Sequence, residues 1–167
     1  MLRSFRRALA AVLFLAAGLG AQEIPTPLSF FGHEMGADRK LANWTQLTSY
    51  YEELAKKSPR VSVDTLGATT AGQPFIMLTV TSGENHARLD ELHEVQMRLA
   101  DPRRVQNEAE LNRLLEQGRS VVLITHSIHA TEVGGAQMAA RLIHRLATSN
   151  DPAILQILDE VILLDIP

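Results

Sequence analysis

The sequence predicts an α/β fold built on a mixed β-sheet with helices on both faces. Two uninterrupted apolar runs, "SVVLIT" at 120–125 and "VILLDI" at 161–166, flank an amphipathic helical pattern at 133–147. Strand, helix, strand with apolar strands describes a parallel β–α–β unit, whose crossover is right-handed. Upstream, "VSVDTLG" and "FIMLTVT" read as strands joined by "ATTAGQP", which carries the Gly and Pro of a turn. That is an antiparallel hairpin, 61–66 with 75–81, so the sheet is mixed.

The elements follow in order. Residues 1–21, "MLRSFRRALAAVLFLAAGLGA", place Arg3, Arg6 and Arg7, and no acid, ahead of an apolar run at 8–21. The run falls short of the roughly 20 residues that span a bilayer. A basic start, a short apolar middle and small residues at the end make a secretory signal peptide, cut after Gly20 or Ala21. An uncleaved anchor helix is the competing reading, and the match to a twin-arginine signal around Arg6-Arg7 is poor. Residues 22–40 hold Pro25, Pro27, Gly32 and Gly36 and no clean period. They read as an extended lead-in that packs Phe30 and Phe31 on the domain at 41–167.

A helix is predicted at 44–57. Asn43 and Gln46 form a capping pair, and Trp44, Leu47, Tyr51 and Leu54 make one apolar face. Lys56 and Lys57 suit its negative end, and Ser58-Pro59 stops it. After the hairpin, 84–100 reads as one helix with Leu89, Leu92 and Leu99 near one face, ended by Asp101-Pro102. A shorter charged helix follows at 108–116. His86 and His93 have only surface-helix context and read as solvated. In the helix at 133–147, Ala136, Ala139, Ile143 and Leu146 line the apolar side; Gln137, Arg141, His144 and Arg145 line the polar one. Asp151-Pro152 opens a last short helix. The apolar strands at 121–124 and 161–166 are both expected to be covered on both faces. A chain that stops on a buried strand reads as the N-terminal, truncated part of a longer domain.

Composition narrows the chemistry. Of 167 residues, 46% are hydrophobic and 21% charged, the balance of a globular domain. There is no cysteine, which excludes a disulfide framework, a thiolate metal site and a lipoprotein anchor. Any metal is therefore held by His, Asp or Glu. Loss of three arginines with the signal takes the formal charge from −3 to −6. With no clustered basic stripe, nucleic acid is excluded as a partner, and no stable membrane insertion is expected after signal cleavage.

The segment "THSIHATEVGG" at 125–135 stands where a strand ends and a helix begins. In open α/β sheets, ligands bind outside the carboxyl ends of the strands. His129 and Glu132 form H-x-x-E, a spacing that lets both side chains converge across one turn. Imidazole and carboxylate suit zinc, and hydrolytic zinc sites use two His and one Glu with an open position for water. The alternative is that His129 hydrogen-bonds at the strand end while Glu132 caps the helix near its positive pole. Gly134-Gly135 costs helix stability, which close backbone approach would explain. His33-Glu34 starts an H-E-x-x-H motif that fails, because the fifth position is Ala37.

"SIHATEVGG" following "VVLIT" resembles the zinc-binding segment of the zinc carboxypeptidases, the carboxypeptidase A-like metallopeptidases. "LGATTAGQPFIMLTV" resembles that family's upstream hairpin. "ILLDIP" resembles the strand leading into its Asn-Pro-Asp-Gly segment, which would begin just past residue 167. The resemblance spans roughly residues 41–167 and implies the N-terminal part of that catalytic domain. It implies that His129 and Glu132 bind one Zn2+ ion. It also implies that the third ligand, a His, and the general-base Glu lie downstream, so no catalytic base is assigned. Thr131 stands where family members often carry Arg, which leaves substrate-binding residues unassigned. His126 is an addition to the family pattern. In a straight strand it faces away from His129 and packs as a supporting histidine.

The expected function is an exported, secreted or periplasmic zinc metallocarboxypeptidase acting on peptide or protein substrates, with this chain inactive alone. A zinc deacylase or amidohydrolase on the same fold is one alternative, and a non-catalytic secreted peptide-binding remnant is another.

Overall fold

The computed structural model describes residues 23–167; the predicted signal segment lies outside them. The first element, α1 (Pro27–Phe31), is a short helix where an extended segment was expected. Thr26 caps its start, Pro27 sits in the first turn, and Gly32 closes it at φ 74, a conformation that favours glycine. The expected packing holds: Phe30 and Phe31 lie 4.9 and 5.0 Å from Tyr50, ring centre to ring centre.

Helix α2 (Trp44–Lys57) begins with the predicted capping box. The Asn43 side chain accepts from the Gln46 N–H while Gln46 accepts from the Asn43 N–H, each at 2.9 Å. Its buried face holds Leu47, Tyr51 and Leu54 as expected, plus Tyr50. The hairpin joins β1 (Val61–Ala68) to β2 (Pro74–Val80), with a bulge between Thr65 and Gly67. The single helix expected at 84–100 is instead two, α3 (Gly83–His86) and α4 (Leu89–Ala100). The break has a polar cause. Buried Asn85 donates to Thr81, Leu158 and Asp159, and that anchorage stops the helix axis from running straight through. His86 is half-buried with its ring on the Thr79 carbonyl at 3.2 Å, so it is not the solvated residue expected; His93 is exposed.

Helix α5 (Glu108–Gln117) leads to β3 (Ser120–Thr125), then α6 (Val133–Thr148), α7 (Pro152–Glu160) and β4 (Val161–Ile166). The strand order is β1-β2-β4-β3: β1 pairs antiparallel with β2, β2 antiparallel with β4, and β4 parallel with β3. The mixed sheet and the parallel β–α–β unit are as predicted. Helices α2, α6 and α7 build the main core with Ile76, Leu78 and Val80 of β2 and Leu163 of β4. Neighbouring Ile162, which points to the opposite face, is also buried.

The expected burial of 121–124 is corrected. β3 is an edge strand, and Val121, Val122 and Leu123 are exposed on both faces, Leu123 at 59%. Its one sheet neighbour is β4, which pairs with it along a single edge. Gln137, expected on the polar side of α6, is buried. Its amide accepts from the Ala42 N–H at 2.9 Å and donates to the Ala42 carbonyl at 3.0 Å, tying the segment before α2 to α6.

Candidate metal centre

The site grows from the parallel pair. Thr125 of β3 stands beside Ile166 of β4, so both strands end at the same edge of the sheet. The ladder gains one further bond, from the His126 N–H to the Ile166 carbonyl at 2.9 Å. The strand does not run on to residue 129. Ser127 takes φ 68, outside the range that residues with a side chain normally adopt, and the chain turns out toward solvent. Residues 128–132 form a turn closed by the Glu132 N–H on the His129 carbonyl at 3.0 Å, and α6 starts at the next residue.

This turn brings His129 and Glu132 together. His129 Nδ1 and Glu132 Oε1 lie 2.9 Å apart. The other carboxylate oxygen accepts the backbone N–H groups of Ile128 and His129, both at 2.9 Å. Glu132 therefore reaches back over the turn; its side chain makes no bond to the helix start it was expected to cap in the alternative reading. The His129 ring and these two amides hold its carboxyl at a pKa of about 2, so it is an anion throughout the neutral range. The two side chains are open to solvent, at 72% and 49% exposure.

An imidazole nitrogen and a carboxylate oxygen this close can both reach one ion at the roughly 2 Å that zinc requires. The carboxylate is fixed in orientation by the two amides on its other oxygen, so Oε1, now facing His129 Nδ1, is the oxygen an ion between the two would meet. The donor set thus fits two positions of a zinc shell. No group of three or more His, Asp or Glu poised to hold a metal exists among the described residues.

His126 goes the other way. Its ring is buried with Nε2 2.7 Å from Asp165 Oδ1, and the two side chains are 4% and 0% exposed. Asp165 was not singled out in the sequence, although an acid inside the apolar run "VILLDI" is a sign of a buried partner. Of the two glycines, only Gly135 meets a neighbour: a Cβ there would lie 3.4 Å from the Cβ of His126, whereas one on Gly134 would meet nothing within 4 Å. A groove of about 1380 Å³ between the 34–41 segment and α6 reaches Val133 and Gly134; neither His129 nor Glu132 lines it. No helix among the described residues is long and apolar enough to cross a membrane.

Comparison with known proteins gives the family and the fold. The sequence profile of a family described as zinc carboxypeptidase matches residues 47–165. The crystal structure of the carboxypeptidase A from Helicoverpa armigera is similar at 14% sequence identity and a TM-score of 0.50. That match covers 84% of this chain and 29% of the other, so the chain spans under a third of that structure's length. No curated protein matches.

Proposed function

The chain belongs to the zinc carboxypeptidase family, and on that premise we propose that it contributes two ligands, His129 and Glu132, to the zinc centre of a metallocarboxypeptidase. The observation that carries this is the 2.9 Å approach of His129 Nδ1 to Glu132 Oε1 at the carboxyl edge of the parallel strands. Those residues fall inside the matched region. A zinc ion held there would polarise a scissile carbonyl and lower the pKa of a bound water toward about 7.

The chain's own residues supply the holding. Glu132 is ionised and oriented before any metal arrives, because two backbone amides already grip one of its oxygens. His129 presents Nδ1 toward that carboxylate, so the ring nitrogen and the oxygen face the same point. Thr131 and the exposed Ile128 flank the pair and offer no charge to a peptide carboxylate. We assign the third ligand and the general base to chain beyond residue 167, and the substrate class to peptides or proteins trimmed from the C-terminus. We also propose that residues 1–21 direct export and are removed; N-terminal sequencing of the exported protein tests this, and a mature chain starting at Met1 overturns it.

The decisive experiment measures zinc content after dialysis, together with release of C-terminal amino acids, in the protein expressed from the complete reading frame. His129→Ala and Glu132→Ala are each expected to abolish both. Full zinc occupancy in His129→Ala would overturn the ligand assignment. Zinc retention without amino-acid release would overturn the carboxypeptidase assignment and leave the metal centre.

A further inference from the structure

We infer that the buried His126–Asp165 pair anchors the 126–132 turn, which makes His126 a positioning residue for the His129–Glu132 pair. Its consequence for metal binding rests on the zinc assignment above; its geometry does not.

His126 is fixed from three sides. Its N–H donates to the Ile166 carbonyl at 2.9 Å, and its ring Nε2 meets Asp165 Oδ1 at 2.7 Å. The first turn of α6 closes over it at Gly135, where a Cβ would lie in van der Waals contact with the His126 Cβ at 3.4 Å. The next residue, Ser127, is held at φ 68, a backbone state that persists only when its neighbours enforce it. Beyond it the turn has little packing of its own, since Ile128 is 89% exposed. Order in this turn therefore comes from two anchors. One is the Glu132 carboxylate on the amides of 128 and 129. The other is His126 on Asp165.

The second anchor is seated in the sheet. Asp165 lies in β4 with its side chain fully buried, so His126 is tied to a strand of the sheet rather than to the exposed turn.

The test is amide hydrogen exchange in the protein, combined with a zinc chloride titration followed by the ring signals of His129. His126→Ala is expected to speed exchange at residues 127–132 tenfold or more, with the β1–β2 hairpin unchanged, and to weaken zinc binding about 10–100-fold. Asp165→Asn keeps an oxygen acceptor for the His126 ring and is expected to rescue most of the turn's protection, where Asp165→Ala does not. Should His126→Ala fail to fold, His126→Phe keeps the ring's bulk without its bond to Asp165 and is expected to speed exchange in the same turn. Wild-type exchange at 127–132 in His126→Ala, or in His126→Phe, would overturn the anchor. If zinc leaves the wild-type His129 signals unmoved while exchange follows the expected pattern, the zinc assignment fails and the anchor stands.

Discussion

Asp165 and Gln137 show how single polar residues decide matters that apolar patterning leaves open. Gln137 satisfies both backbone groups of Ala42 inside the core. Gln137→Leu would strand a buried N–H and a buried C=O, each costing about 1–3 kcal/mol. The expected loss is about 2–4 kcal/mol of unfolding free energy, read from the urea midpoint; a change under 0.5 kcal/mol would contradict the assigned bonds. Asp165 has its pKa raised by burial, against the opposing pull of His126. A carboxyl whose folded pKa lies above its unfolded value favours the folded state below the unfolded value of about 3.8 and loses that advantage as pH rises through the folded pKa. Wild type should therefore lose stability relative to Asp165→Asn as pH climbs from about 3.8. A flat difference between the two over pH 3–7 would refute the shift.

At the scale of elements, the ends carry the specificity. The α2 capping box was legible from Asn43 and Gln46, and Asn43→Ala should cost about 1 kcal/mol in the thermal midpoint analysis. Neither glycine that opens α6 is needed for space. Gly134 has open space around its Cβ position, and a Cβ on Gly135 would meet His126 at an ordinary van der Waals distance of 3.4 Å, so Gly134→Ala and Gly135→Ala should each stabilise the protein by up to about 1 kcal/mol through helix propensity. A loss of stability in Gly135→Ala, read from thermal unfolding, would show that the contact with His126 is strained.

The whole molecule is an asymmetric sheet. One flank, β1 and β2, is backed by α2; the other flank is an open edge strand with apolar residues facing out. Leu123 and Leu163 have the same residue type in neighbouring parallel strands, yet only Leu163 belongs to the core. Leu163→Ala should cost about 3 kcal/mol, in the range of core leucine truncations, whereas Leu123→Lys should change stability by less than about 0.5 kcal/mol. Comparable losses at the two sites, measured by denaturant unfolding, would show that β3 is covered after all. An exposed apolar edge also favours association, which charge on that strand should suppress.

The sequence by itself determined most elements whose cause is local; α1, capped by Thr26 and closed by Gly32, is the exception, expected as extended chain. Asn43-x-x-Gln46, the Gly and Pro between the hairpin strands, the two apolar runs around an amphipathic helix and the three-residue spacing of His129 and Glu132 act within a few residues, where periodicity and turn chemistry are written directly. The mixed sheet and the position of the His-Glu pair at its carboxyl edge followed from them. Only the tertiary structure decided what depends on a distant partner. That β3 lies at the edge, uncovered, depends on which strands flank it, because an apolar run has the same composition at the centre of a sheet or at its rim. That Gln137 is buried depends on Ala42, 95 residues away in sequence. That the helix breaks at Ala87–Arg88 depends on Asn85 reaching the end of α7. And that His126 points inward depends on Asp165, a charge that can be buried there because an imidazole meets it at 2.7 Å.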